Sequence, residues 1–241
     1  MACPYRFFAR HALRLAEADE VRETIEKVDY GERVHRVLKE FHCAHPLVSA
    51  LDVRDAERRL IELSRALFAD LIAHDYQACA WLERWLALVP QYVRWQRERE
   101  DDGWRFLAAE ADKSIAIETP GGRTLPLRGR LDRVDRTLDG GRYAVVDYKT
   151  GVPSRLRSAL DPPGEDVQLP VYALLWGGDV AEALFLSIDR DGVVPVRVED
   201  DVGALAGATQ ARLAALYDAL ADGAAAPAQG SDRDCKSGVI R

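Results

Sequence analysis

Between Tyr143 and Gly151 the chain reads YAVVDYKTG, and no other stretch restricts the possible fold as much. Mostly apolar residues run into Asp147, Lys149 follows two positions later, and the segment breaks at a glycine. A short apolar run bounded by a break is the pattern of a strand covered on both faces. Residues two apart in a strand point the same way, so Asp147 and Lys149 share one face at the end of a buried strand. A carboxylate and an ammonium placed there need partners or a chemical task.

The segments before this strand have helical periodicity. In YGERVHRVLKEFHCA the residues Val34, Leu38 and Phe41 form an apolar stripe with His35 beside it. A similar pattern covers Asp52 to Ala73, and CAWLERWLALVPQYVRWQRERE predicts a third, tryptophan-rich helix whose terminal charges read as a solvated end. From about Trp104 the period changes to two. SIAIET, TLPLRGRLDRVD, RYAVVDYK, ALFLSI and VVPVRV predict strands, with turns at the Thr119 and Asp139 glycine runs. Helices are expected at EDVQLPVYALLW and ALAGATQARLAALYDALAD. Helices, then a sheet interrupted by a helix, then a closing helix imply a single α/β or α+β domain. Its helical part covers about 1–103, the sheet about 104–200, and the closing helix and tail 201–241.

With 241 residues, 48% of them hydrophobic, the chain can bury a substantial core. It has no apolar run long enough to span a bilayer and no secretory leader, so a soluble, cytoplasmic protein without membrane contact is expected. The net charge of −7 argues against a broad non-specific hold on nucleic acid, although a local basic groove is compatible with it. Cys3, Cys43, Cys79 and Cys235 form no paired spacing and read as isolated buried thiols. The core-type residues of CPYRFFARHALRL at the very start suggest a domain cut from a longer chain.

Upstream of the central strand lies LRGRLDRVDRTLDGG. A hairpin whose loop is centred on Gly140 and Gly141 places Asp132 opposite Lys149 and diagonal to Asp147, all on one face; a one-residue slip turns Asp132 away. Two carboxylates within reach of one cation, beside an ammonium, suit Mg²⁺ or Mn²⁺. Such an ion activates water and stabilises charge on a phosphate oxygen, with Lys149 assisting. The expected chemistry is metal-dependent phosphodiester hydrolysis.

GRLDRVD, then VVDYKTG, then QLPVYALL resembles the RecB-type branch of the PD-(D/E)XK nuclease superfamily. CPYRFFARHALRL followed by DYGERVHRVLKEFH further resembles the nuclease domain of AddB-like helicase-nuclease subunits. The resemblance implies a restriction-endonuclease-like core, a small mixed sheet flanked by helices with a helical N-terminal region. It implies Asp132, Asp147 and Lys149 as catalytic residues, with Leu131 where the superfamily name has proline. It implies a metal shell of His35, Asp132, Asp147 and Tyr148, and a substrate-positioning pair, Gln168 and Tyr172, one turn apart on a helix. Cys3 and Cys235 match two positions of the iron–sulfur pattern found in many AddB-like nucleases. Four thiolates are needed and Ile240 stands where another cysteine would fall, so no intact cluster is expected.

Arg123, Arg128, Arg130, Arg133 and Arg136 crowd the strands around Asp132, and Arg155 and Arg157 follow Lys149. This local cluster in an acidic chain is what a DNA cleft needs. The expectation is a Mg²⁺- or Mn²⁺-dependent deoxyribonuclease, an exonuclease in DNA repair and recombination, with DNA and a helicase-nuclease partner subunit as partners. The alternative is a non-catalytic DNA-binding or scaffolding module that keeps the fold.

Overall fold

The structure is a computed structural model, and it describes residues 27–161, 166–190 and 192–224. Three helices come first: α1 (Lys27–Ala44), α2 (Val53–His74) and α3 (Gln77–Asp101), with a short 3₁₀ turn at Val48–Ala50. Next come strands β1 (Trp104–Glu118), β2 (Thr124–Thr137) and β3 (Tyr143–Lys149). Helices α4 (Pro153–Leu160) and α5 (Gln168–Trp176) lead to β4 (Val180–Asp189) and β5 (Gly192–Arg197), and α6 (Val202–Ala221) closes the described chain.

The five strands lie in sequence order, β1-β2-β3-β4-β5. β3 pairs antiparallel with β2 and parallel with β4, and β4 pairs antiparallel with β5. The single parallel pair requires a crossover, which α4 and α5 supply. This is the mixed α/β sheet flanked by helices that the restriction-endonuclease-like expectation describes. None of the described helices is long and apolar enough to cross a membrane.

Contacts divide the chain into two compact units. The smaller, among the described residues, comprises 116–125 and 211–224, the β1–β2 turn and the end of α6, where Asp218 accepts from Thr119 Oγ1 and Gly121 N, each at 2.7 Å. The larger comprises 24–115 and 126–210 and contains the sheet's other strands and both hydrophobic clusters.

Alternation along the central strands divides the larger unit into layers. Val146 and Tyr148 of β3 and Leu184, Leu186 and Ile188 of β4 pack on Val34, Leu38 and Phe41 of α1, Phe68 of α2 and Trp85, Val89 and Tyr92 of α3. Val145, Ala183 and Phe185 face the other way, onto Leu169, Ala173 and Leu175 of α5. Burying each large side chain of this kind contributes roughly 1.5–3 kcal/mol. Gly129 of β2 lets α5 approach closely, since a Cβ there would stand 2.6 Å from Leu175 Cδ1.

Four sequence expectations need correction. The β2–β3 ladder pairs Arg133 with Val146 and Asp135 with Ala144, and Thr137 N donates to Arg142 O at 2.9 Å. The loop is therefore Leu138–Gly141, one residue earlier than expected, and continuing the ladder one step puts Asp132 opposite Asp147 rather than Lys149. The cause is Asp139, whose carboxylate accepts from Gly141 N at 3.0 Å and from the Thr137 hydroxyl, while Gly140 takes a φ of 72° that only glycine adopts freely.

The charged end of α3 is solvated only in part: Arg94, Glu98 and Asp101 are exposed, but Arg99 and Glu100 turn inward. Arg99 is 4% and Glu100 2% exposed, because Glu100 accepts from Val48 N at 2.9 Å and Ser49 N at 2.6 Å and so anchors the 3₁₀ turn. Cys43 and Cys79 are exposed rather than buried. Helix α4, begun by Pro153 at its first position, was not anticipated. Cys3 and Cys235 lie outside the described residues.

Candidate metal centre and active site

β3 ends at the site. Five of its seven residues are buried, which fixes its direction, and the odd positions Asp147 and Lys149 emerge on the α5 side. Asp147 is 1% exposed. Its Oδ1 accepts from Gln168 Nε2 at 2.7 Å, and Gln168 Nε2 also donates to Tyr172 Oη at 3.1 Å. Its Oδ2 is buried and accepts no hydrogen bond among the described residues, although the Lys149 ammonium lies 2.5 Å away. Lys149 also stands 5.3 Å above the Phe185 ring.

Asp132 comes from the neighbouring strand. Its Oδ2 accepts from Tyr148 N at 3.0 Å and lies 3.4 Å from His35 Nδ1. His35 is delivered by α1, whose Gly31 passes 3.6 Å from Thr150 Oγ1 as measured from an added Cβ, so the helix lies against the end of β3. His35 Nε2 is 2.9 Å from Tyr148 O. A carbonyl can only accept, so Nε2 carries the proton. Burial lowers the imidazole's pKa, leaving it neutral at pH 7. Its Nδ1 lone pair then faces an Asp132 carboxylate oxygen.

Two acceptors facing each other need a cation or a proton between them. Glu110 of β1 completes the set: one ligand atom each from His35, Glu110 and Asp132 lies within 4.8 Å of the others. Sequence reasoning missed Glu110. Its φ of 50° is the one left-handed value among described non-glycine residues, a conformation costing about 1–3 kcal/mol that concentrates at functional sites. No pattern in WRFLAAEADK marks it in advance. The donor set, one neutral imidazole with carboxylates, fits a divalent cation.

The acids repel each other across the ladder, where like charges directly opposite destabilise. Burial raises the pKa of Asp132, with Glu110 adding to it against the Tyr148 N–H and Lys149. Burial again, then Asp132, raises that of Asp147 against the pull of Lys149. A raised carboxyl binds its proton more tightly in the folded chain than in the unfolded one, so stability is greatest in acid and is lost as pH climbs from about 4 through the raised values. A cation needs both groups ionised. The metal-free protein is therefore expected to lose melting temperature between pH 5 and 8, and Mn²⁺ to raise it more at pH 8 than at pH 5. Equal Mn²⁺ shifts at both pH values in a thermal melt would count against these carboxylates as ligands.

The remaining expected residues are distributed differently. Tyr148 reaches the site only through its backbone; its phenol, 4% exposed, is turned to the helical face. Arg133 is 1% exposed and ion-paired with Asp135, so it offers nothing to a DNA backbone. Arg123 is paired with Asp218 and Asp222, and Arg130 with Glu110 at 3.1 Å. Arg128, Arg130, Arg136, Arg155 and Arg157 are exposed. On β2, Leu127, Gly129 and Leu131 pack on the α5 side, so Arg128 and Arg130, which alternate with them, project from the other side of the strand.

The chain is 24% identical over 176 residues to an uncharacterized protein of Rickettsia bellii, covering 71% of this chain and 20% of that one. It is likewise 24% identical over 181 residues to the uncharacterized protein RC0550 of Rickettsia conorii, with the same coverage. The chain thus spans about a fifth of the length of these relatives. A solved structure titled "Crystal structure of SSO0001" aligns over 91% of this chain and 85% of its own with 15% identity and a TM-score of 0.33, too low to carry weight. The family model of the PD-(D/E)XK nuclease superfamily matches residues 1–237. With an acid on each of two neighbouring central strands and a lysine two residues beyond the second, the chain belongs to the PD-(D/E)XK nuclease superfamily.

Proposed function

We propose that this chain is a Mg²⁺- or Mn²⁺-dependent deoxyribonuclease, acting as the exonuclease module of a helicase-nuclease-like protein in DNA repair and recombination. The observation that carries the reading is the His35 Nδ1 lone pair 3.4 Å from Asp132 Oδ2, with Glu110 beside it and Asp147 on the adjoining strand. His35, Glu110, Asp132 and Asp147 would hold the cation, which supplies Lewis-acid stabilisation of phosphate charge and a more acidic water. The protein's own residues do the positioning. Gln168 holds Asp147 Oδ1, leaving Oδ2 for the reacting side. Lys149, half-buried at the end of β3, brings a positive charge to where a phosphate oxygen would carry its developing charge. Tyr172, hydrogen-bonded to Gln168, keeps that amide turned toward Asp147. Arg128 and Arg130, exposed on β2 ahead of Asp132, would meet a phosphate backbone running along that strand.

Linear single- and double-stranded DNA incubated with the protein and Mn²⁺ or Mg²⁺ should be degraded, and Asp147→Ala should abolish that degradation while the circular dichroism spectrum is kept. Equal cleavage by the variant, or no Mn²⁺ uptake by the parent protein in calorimetry, would reject the assignment.

A further inference from the structure

Beside the metal centre, between the helical layer and the same two strands, lies a buried polar cluster that the hydrolytic reading does not use. Arg133 donates from Nε to Asp135 Oδ1 at 2.7 Å and from Nη2 to Asp135 Oδ2 at 3.1 Å. Its Nη1 reaches His42 Nε2 at 3.2 Å and the hydroxyls of Tyr92 and Tyr148, each at 3.3 Å. Asp135 receives a second guanidinium, Arg99 Nε, at 2.5 Å. Arg133, Asp135 and His42 are each 1% exposed or less.

Guanidinium groups only donate, so His42 Nε2 accepts. That fixes the proton order: Tyr92 Oη donates to His42 at 2.6 Å, and Tyr148 Oη donates to Tyr92 Oη at 3.4 Å. Every hydroxyl in the chain of bonds has one direction available, and Arg133 holds both tyrosines from the side.

Tyr148 therefore joins two environments. Its phenol ends in the cluster, while its backbone lies in the site, where N–H donates to Asp132 Oδ2 at 3.0 Å and C=O accepts from His35 Nε2 at 2.9 Å. Its ring also packs edge-on against His35, with centroids 5.6 Å apart. Buried ion clusters of this kind are often no more stabilising than apolar residues of the same size, so stability alone does not account for this one.

We propose that Tyr148 is a positioning residue: its phenol, clamped by Arg133 and Tyr92, fixes the peptide that orients Asp132 and His35, so that the cluster under α1 sets the geometry of the neighbouring metal-binding groups. The proposal rests on the metal reading above, and its test separates the two. Groups standing behind a metal's ligands typically change affinity 10–100-fold when removed.

Tyr148→Phe removes one hydroxyl and leaves Arg133 its bonds to Asp135, Tyr92 and His42, so it should fold. It is expected to weaken Mn²⁺ binding in calorimetry about 10-fold and to shift the His35 ring ¹⁵N resonances of the metal-free protein. Phe68→Leu, a fully buried change in the helical layer, serves as the control for lost stability and should leave both readouts in place. Unchanged Mn²⁺ affinity together with unmoved His35 resonances in Tyr148→Phe would overturn the proposal, as would an equal loss of affinity in Phe68→Leu. If the parent protein takes up no Mn²⁺, the metal reading fails, and the His35 resonances alone judge the positioning role: shifted supports it, unmoved overturns it.

Discussion

Replacing Lys149 with alanine will lower the rate of DNA cleavage by about 10²–10³-fold while Mn²⁺ binds at least as tightly as before. The two effects separate because Lys149 Nζ lies 2.5 Å from Asp147 Oδ2. In the free protein the ammonium competes with a cation for that oxygen, so its removal strengthens metal binding by a modest factor. During the reaction the same charge stabilises a phosphate oxygen, and nothing else on the described face replaces it. Single-turnover rates at saturating Mn²⁺, alongside calorimetry, would check both halves. A variant that cleaves at the parent rate would remove Lys149 from the chemistry, and one that loses Mn²⁺ binding would show the lysine holding Asp147 in place.

The second large effect concerns stability. Asp135→Ala should destabilise the fold by about 3–5 kcal/mol, the usual result of removing one partner from a buried ion pair. Asp135 is fully buried between Arg133 and Arg99. Without it Arg99 keeps Glu182 at 3.1 Å, but Arg133 retains only neutral groups, two hydroxyls, an imidazole and the faces of Trp95 and Phe106, to offset a buried charge. For a chain of this size that loss corresponds to roughly 6–20 °C in melting temperature. Urea unfolding of the metal-free proteins measures it directly; a difference under about 1 kcal/mol would mean that water or a rearranged partner reaches Arg133.

The fold was legible where periodicity was strong. β3 announced itself as an apolar run with a polar end, and the helices α1 to α3 by their apolar stripes. Strand parity led to the expectation of Asp132, Asp147 and Lys149 together, and in the structure they converge at the end of β3, Asp132 by accepting from Tyr148 N and Lys149 by pairing with Asp147, with the register moved by two residues. That shift was invisible because two glycines looked like the centre of the loop, whereas the Asp139 carboxylate organises the turn one residue earlier. Parity also contained an inference that went undrawn: if Asp132 faces the site, Arg133 must face the opposite side and cannot touch DNA there. Glu110 and the buried Arg99–Glu100 pair depend on partners far away in sequence, Asp132 for the first and Asp135 and Val48 for the second. No local pattern encodes such pairings.

The single parallel pairing in the sheet separates two kinds of inheritance. Asp132, Asp147 and Lys149 sit on adjoining strands whose spacing the backbone ladder dictates, so their geometry is a property of the scaffold. Gln168 and Tyr172 arrive on α5, at the end of the crossover from β3 to β4. A change in the crossover therefore alters the groups brought by α5 while the strand positions of the acids and the lysine stay fixed, but it reaches Asp147 through Gln168, whose amide holds Oδ1. On the proposed nuclease reading, hydrogen-bond register sets the groups that cut, and the crossover carries the groups that meet what is cut.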